Sequence, residues 1–389
     1  METNNNELVI SFKWKLNEDN IFNYSSTDFL LSKEIKKDFK DEPFYCLESC
    51  GNIISEKDNI TLSKYNKILF RVMKSKTNNI YKIINPVCIG MELNPYNISS
   101  LNDRMWLTLK SENKELKHEN GNEEYNLLKH DIIKIANKKY EIIEKNIAIK
   151  GNEKINKINL KNNTKSIFDI SLKYKEYMIK EDLISSCRKC QHNNCDKSNP
   201  LLKLCKCGYI HYNCLKSDLK KKIIKPKNEK QTITEYWYKC KEFKCDNCPL
   251  YYPFKFQIKD KIYYLIDDLV PKTYINYIIL ESLNFPEDDD IKNIYVINLN
   301  DNNVKIGRDE KNNDIIIREK SISKFHAEIK FNKNNGDVTI INKGKYGTFV
   351  LIKDNITLYE NDKIYFQVGK VFIKAENTFN NSKENEKSS

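Results

Sequence analysis

The sequence predicts a multidomain, mainly β protein with a small metal-binding module between two β regions. Three observations carry this expectation. Short apolar or alternating runs recur from about Lys67 to Tyr140 (KILFRV, IYKII, MWLTLK, DIIKIANKKYEII), separated by Asn, Asp, Pro and Gly. A second set follows from Ile294 (IYVINL, DIII, HAEIKF, DVTII, GTFVLI, DKIYFQVG). This is the spacing of strands in a β-sandwich. Between the two sets, nine of the twelve cysteines fall between Cys187 and Cys248.

Bulk properties bound the function. A chain of 389 residues with 40% hydrophobic residues has room for packed cores in about two or three domains. No apolar run approaches the roughly 20 residues of a membrane-spanning helix, and no charged-then-apolar leader opens the chain, so a soluble, unanchored protein is expected. The net charge of +12 comes from 66 Lys and Arg against 54 Asp and Glu, mixed throughout. No arginine-aromatic stripe argues for nucleic acid. With ten glycines and neither a G-x-G-x-x-G nor a P-loop motif, no nucleotide cradle is expected. No nucleophile-base constellation appears, so a non-enzyme is expected, and any enzyme activity would have to come from the cysteine-rich module recruiting another enzyme.

In order, residues 1–60 have no clear assignment, although Asp28 to Ile35 reads as the start of a short helix. Cys46 and Cys50 read as free buried thiols. Residues 61–147 form the first β domain, 148–182 a polar linker, 183–256 the cysteine-rich module, 257–290 a connecting segment, 291–377 the second β domain and 378–389 a disordered tail. One internal echo links the β regions. Asp131-Ile-Ile-Lys-Ile and the residues to Ile142 can be laid on Asp362-Lys-Ile-Tyr-Phe and the residues to Ile373, each reading as a closing hairpin.

The module contains CRKC (Cys187, Cys190), LCKCGYIHYNC (Cys205, Cys207, His211, Cys214) and CDNC (Cys245, Cys248), with His192, Cys195 and Cys240 as spare donors. Tetrahedral zinc takes four N/S ligands, and the segment offers two sets of four. The alternative, a disulfide framework, fits poorly with a Lys- and Asn-rich chain that reads as intracellular, cytoplasmic or nuclear. The lysines at 216–230 read as a solvated helix and loop.

Two resemblances sharpen these readings. Gly307-Arg308, Ser323-Lys324-Phe-His326 and Gly347-Thr348, in that order on a run of strands, resemble the forkhead-associated (FHA) domain, a phosphothreonine-binding β-sandwich. The resemblance implies a phosphothreonine-containing partner held by Arg308, Ser323, Lys324 and Thr348, with Gly307, His326 and Gly347 as structural support. A guanidinium fork and hydroxyl donors are what a phosphate dianion needs. Tyr346 stands where the family usually carries a peptide-holding Asn, and Gly344 where a serine is usual. The region 65–147 resembles a degenerate copy, in which Met91 takes the place of Arg308.

The cysteine block resembles a RING-CH (RING-variant) zinc finger. That resemblance implies two zinc ions in a cross-braced arrangement, one on Cys187, Cys190, His211 and Cys214 and the other on Cys205, Cys207, Cys245 and Cys248. Three departures stand out: the short Cys207–His211 spacing, Asp218 in place of a common tryptophan, and Lys189 in place of an apolar residue that faces the ubiquitin-conjugating enzyme. The order of degenerate FHA region, finger and FHA domain resembles an architecture seen in proteins of ciliates and apicomplexan parasites. The expected function is a phosphothreonine-dependent adaptor, with a RING-type ubiquitin ligase recruiting phosphorylated substrates as the alternative.

Overall fold

The structure is a computed structural model. It describes residues 6–14, 31–37, 44–49, 52–57, 66–74, 80–85, 104–109, 124–148, 186–194, 196, 198–224, 233–239, 243–248, 252, 255–258, 261–264, 270–283, 291–299, 303–369 and 371–379. Among these residues the fold is mainly β, with one α-helix, Tyr212–Lys220. The chain divides into two compact units. The first takes residues from 1–137, 149–165 and 303–389, and the second from 138–148 and 166–302.

The first unit does not consist of two successive sandwiches, as the two β-rich stretches of sequence suggest. Strands from both stretches are hydrogen-bonded to one another. Thr348–Leu351 lies between Ile132–Ile135 and Met105–Thr108, antiparallel to each. Met105–Thr108 pairs in turn with Lys363–Val368, which forms a hairpin with Val371–Phe379. A second sheet runs Ile315–Ile316, Val304–Gly307, Ala327–Phe331, Val338–Asn342 and Tyr125–Asn126. A third runs Ile356–Leu358, Tyr81–Ile84, Asn66–Lys74, Phe44–Ser49 and Asn52–Lys57. The alternation of apolar residues fixes which face of a strand is buried, but it does not name the neighbouring strand.

The unassigned N-terminal stretch also belongs here. Asn6–Trp14 runs antiparallel along the whole of Val371–Phe379, with Leu8, Ile10 and Phe12 buried. Where a helix start was expected, Leu31–Lys37 is a strand on the outer side of Asn6–Trp14. Its Ile35 is buried while Ser32, Lys33, Glu34 and Lys36 are exposed, which suits an edge strand and not an amphipathic helix. The side chain of Cys46, together with Cys50, Met91, the linker before Ser186 and the tail after Phe379, lies outside the described residues.

The internal echo has a structural counterpart. Asp131 accepts the Leu128 N–H on its carboxylate at 2.8 Å and donates its own N–H to the Leu128 carbonyl at 3.1 Å. Asp362 does the same with Tyr359, at the same two distances. In both turns the residue before the aspartate is left-handed, His130 at φ 71° and Asn361 at φ 63°. A short acidic side chain thus closes each turn ahead of a buried strand.

The second unit contains four hydrogen-bonded strands, in the order Ile233–Lys239, Ile291–Asn298, Tyr277–Ser282 and Lys138–Asn146. Ile291–Asn298, expected to open the second β domain, and Tyr277–Ser282, expected in a connecting segment, are both among these strands. A hairpin, Leu201–Cys205 with Gly208–His211, leads into the helix. Tyr212, Leu215 and Leu219 are buried, as i, i+3, i+7 spacing on one helical face requires. The core of this unit joins them to Leu202, Ile210, Tyr236 and Val296. The Asn199 side chain accepts the Asn213 N–H at 2.9 Å and so satisfies one of the free donors at the start of the helix.

The strand pairing predicts that residues 291–379 expressed alone will not fold cooperatively. Thr348–Leu351 would lose both of its neighbours, and its four residues are all buried. Amide chemical-shift dispersion and a denaturant melt of that fragment, beside the full chain, check this. A dispersed spectrum with a sharp transition would contradict it.

Candidate functional site

The first candidate site forms where three loops of the first unit meet. The loop after Gly307 is tied to the loop of Ser323 by backbone bonds, Arg308 N–H to the Ser323 carbonyl at 3.0 Å and Asp309 N–H to the Lys324 carbonyl at 3.2 Å. Asn313 reinforces this junction from below, donating from Nδ2 to the Lys324 carbonyl at 2.6 Å and the Asp309 carbonyl at 2.7 Å. Gly307 is required by this crowding. A Cβ there would collide with the Lys324 carbonyl oxygen and approach both side-chain amide atoms of Asn313 to 2.9 Å.

His326 ties the third loop in. Its ring is fully buried; Nδ1 accepts the Ser323 N–H at 3.0 Å and the Nε2–H donates to the Gly347 carbonyl at 3.0 Å. These partners define one neutral tautomer. Burial is the main cause that brings the pKa down to about 4, against the opposing pull of the Gly347 carbonyl. Gly344 lies flat against the ring, so that a Cβ would come within 2.5 Å of it. The glycine that replaces the usual serine is therefore a packing requirement of this loop.

Ser323 is half-buried. Its hydroxyl oxygen accepts the Lys345 N–H at 3.0 Å, which leaves the hydroxyl hydrogen free to donate outward. Arg308 and Lys324 are exposed, and among the described residues Arg308 has no ion-pair partner. Three of the four expected phosphate or peptide contacts thus lie together on the surface. Thr348 does not join them. It is fully buried, and its hydroxyl donates to Asn342 Oδ1 at 3.0 Å, so it supports the loop and cannot touch a ligand.

Asn342 was not apparent from the sequence, yet it organises the loop. Its Oδ1 also accepts the Gly344 N–H at 3.0 Å, and its Nδ2 donates to the Gly344 carbonyl at 3.2 Å. Leu109 and Ala136 were also missed. Ala136 N–H donates to the Gly347 carbonyl at 3.1 Å and Leu109 N–H to the Thr348 carbonyl at 3.0 Å. No side-chain signal marks such backbone clamps.

The second candidate site is a pair of cysteine-rich clusters in the second unit. Cys187, Cys190, His211 and Cys214 bring their ligand atoms within 4.8 Å of one another, and so do Cys205, Cys207, Cys245 and Cys248. These are the two sets implied by the RING-CH resemblance. A tetrahedral ion with Zn–S near ~2.3 Å would separate its sulfurs by roughly 3.8 Å. The Cys205 and Cys245 sulfurs are 3.5 Å apart, and Cys190 Sγ is 3.2 Å from His211 Nδ1. His211 Nε2 donates to the Asn194 carbonyl at 2.6 Å, which leaves the Nδ1 lone pair for an ion. The donor sets fit a tetrahedral metal ion in each cluster. His192 is exposed and belongs to neither set; Cys195 and Cys240 lie outside the described residues.

The surroundings favour the thiolate at one cysteine of each quartet, Cys187 and Cys245. Burial pushes the Cys187 thiol up, but N–H groups of Cys190, His211 and Lys189 outweigh it and bring it to about 6. Burial likewise opposes ionisation of Cys245, yet the Asn247 N–H and the Arg188 guanidinium bring it to about 5. Arg188 Nη1 donates to Cys245 Sγ at 3.1 Å, while Nη2 donates to the Tyr252 hydroxyl at 2.6 Å. Cys207, beside Cys248, is pushed up to about 12, as is Cys214 by burial and the Cys190 thiol. Without an ion, each quartet accommodates one ready thiolate and resists the next.

The finger's two charged departures meet. Lys189 Nζ lies 2.7 Å from Asp218 and 3.5 Å from Asp246, and Lys222 lies 3.8 Å from Asp246. Where the resemblance implies an apolar residue, Lys189 instead joins an ion-pair network.

The buried His326 yields a pH prediction. Between its folded value of about 4 and the ordinary 6.5, the unfolded chain binds a proton that the folded one refuses. Stability therefore rises with pH across that window and is lost as pH falls from 6.5 towards 4. The full shift corresponds to about 3 kcal/mol. Urea midpoints against pH should fall more steeply for the wild type than for His326→Asn; parallel curves would show that His326 does not carry the effect.

Among known proteins, the family model of the FHA domain matches residues 304–367. No curated protein and no solved structure matches the chain. The matched span begins at Val304 and ends at Gln367, and it contains Gly307, Arg308, Ser323, His326, Asn342, Gly347 and Thr348. The three-loop site of the first unit therefore lies wholly within an FHA domain.

Proposed function

We propose that this chain is a phosphothreonine-dependent protein-binding adaptor whose second unit is a structural di-zinc, RING-like module. The observation that carries the reading is the outward donor set on the FHA loops. Ser323 has its acceptor side occupied by the Lys345 N–H and its hydrogen free, beside the exposed Arg308 and Lys324. A phosphate dianion supplies what these groups lack, an acceptor that takes both a guanidinium and a hydroxyl. Loops held by a neutral, buried histidine and by Asn342 keep that geometry before the ligand arrives.

Support for zinc comes from the ligand chemistry. Seven cysteines and one histidine, in two quartets of tetrahedral size, suit a borderline-soft ion without redox chemistry. None of the seven cysteines in the quartets is in a disulfide, which leaves their sulfurs available to an ion. Each zinc would join segments far apart in sequence, so that binding energy becomes folding energy. The cross-braced quartets also favour the second reading, a RING-type ligase that engages a ubiquitin-conjugating enzyme. The Lys189–Asp218–Asp246 network weighs against it, because an apolar docking surface is replaced by paired charges. No membrane partner is proposed, and no described helix is long and apolar enough to cross a bilayer.

Two measurements check the reading. Binding of the full chain to a phosphothreonine peptide library should show selection of phosphorylated over unphosphorylated threonine, with Arg308→Ala losing about 100-fold or more, in line with removal of a charge-assisted bidentate contact. Equal binding of both peptide forms would reduce the sandwich to a structural role. Metal analysis should give two zinc ions per chain, falling to one in Cys207→Ser with the first quartet intact. A protein that folds normally under strong chelation would rule out structural zinc.

A further inference from the structure

The loops around Ser323 carry more positive charge than one phosphate requires. Segments 308–312, 318–324 and 343–346 hold seven Lys or Arg and three Asp or Glu, a net +4 over sixteen residues, where the whole chain carries +12 over 389. The local density is roughly eight times the average by that arithmetic, so the excess is concentrated at this end of the sandwich.

Part of this charge is already engaged. Arg318 pairs with Glu310 at 2.9 Å and Lys343 with Glu328 at 3.9 Å. The Asp309 carboxylate accepts from the Asn312 side chain at 2.6 Å and from the Lys311 N–H at 3.1 Å. Glu319 accepts the Ser321 hydroxyl at 2.6 Å. Arg308, Lys320, Lys324 and Lys345 have no ion pair among the described residues. Arg308 and Lys324 belong to the phosphate site proposed above. Lys320 lies on the Ser323 loop and Lys345 on the Gly344–Gly347 loop bonded to it. Lys320 sits in the turn closed by the Ile322 N–H on the Glu319 carbonyl, three residues before Ser323, and is exposed. Lys345 is fixed by its own N–H on the Ser323 hydroxyl. Its ammonium also lies 5.7 Å from the ring of Tyr346, the residue that replaces the peptide-holding Asn of the family resemblance. The loop has lost an amide that would grip any peptide backbone, and next to the replacement it carries a cation.

We infer that Lys320 and Lys345 form a second anion subsite beside the phosphothreonine position, so that the preferred partner is a phosphothreonine segment bearing a further phosphate or acidic side chains close by. The inference rests on the phosphothreonine reading of the same loops. It shifts recognition from the peptide backbone to peptide charge, and such recognition weakens with ionic strength.

The test compares four synthetic peptides of one length on the full chain by fluorescence anisotropy: unphosphorylated, singly phosphorylated with neutral flanks, singly phosphorylated with Asp/Glu flanks, and doubly phosphorylated. The doubly phosphorylated or acidic-flanked peptide should bind about tenfold or more tighter than the neutral-flanked one. That advantage should shrink towards unity in Lys320→Ala/Lys345→Ala and at about 0.5 M salt. The same variant should bind the neutral-flanked phosphopeptide nearly as well as the wild type. Equal affinity for neutral-flanked and acidic peptides overturns the inference and leaves the phosphothreonine reading standing. If no phosphorylated peptide is preferred to the unphosphorylated one, the phosphothreonine reading fails and the subsite falls with it. An advantage that survives both lysine substitutions also overturns the assignment to these residues.

Discussion

The recognition end of the first unit depends on one buried imidazole. His326 is the only group in contact with both the Ser323 loop and the Gly347 carbonyl among the bonds described, accepting at one nitrogen and donating at the other. A neutral ring can do this; an imidazolium would present two donors and leave the Ser323 N–H facing another N–H. Burial secures the neutral form and Gly344 makes room for it. The consequence is felt at the surface, where Ser323 and Arg308 point outward from a frame that does not require the ligand to assemble it.

That frame extends beyond the segment matched by the family model. The Gly347 carbonyl takes a second hydrogen bond from Ala136, and the Thr348 carbonyl takes one from Leu109, each the residue just past a strand and more than two hundred residues earlier in the chain. Lys134 lies with its ammonium 4.0 Å from the Phe349 ring and 4.9 Å from that of Trp106, covering the strand that follows the loop. The early β region is therefore not a spare copy set beside the FHA domain. It supplies the strands on both sides of Thr348–Leu351.

How much of this was legible in the sequence varies with the kind of force involved. Metal ligands are legible because an ion imposes residue type and short spacing together, and both quartets assemble as the cysteine spacing and resemblance implied. Arg308, Ser323 and His326 are legible because the FHA resemblance ties a residue type to each loop position, and the family model spans all three. Thr348 was misplaced: a hydroxyl next to a binding loop suits a ligand or a buried amide equally well, and here Asn342 takes it. Strand partners were not legible at all. The antiparallel contacts of Asn6–Trp14 and Thr348–Leu351 are made by backbone groups that every residue carries, and apolar alternation is the same whichever strand lies alongside. The echo of Asp131 and Asp362 is the exception, since a carboxylate that closes its own turn is a side-chain signal and recurs with the same bonds.

Departures from a family pattern are most informative when they occur in compensating pairs. In the cysteine-rich module, Lys189 stands where the RING-CH resemblance implies an apolar residue, and Asp218, itself a departure from that resemblance, lies 2.7 Å away. Both side chains are partly exposed, so the pair contributes little to stability. In the FHA loops, Gly344 admits the His326 ring, while Tyr346 takes the place of a backbone-holding amide and lies under the Lys345 ammonium. In one unit both cysteine and histidine quartets are complete and in the other the His326 frame is, while Lys189, Asp218 and Lys345, which carry the changed charge, are at least partly exposed.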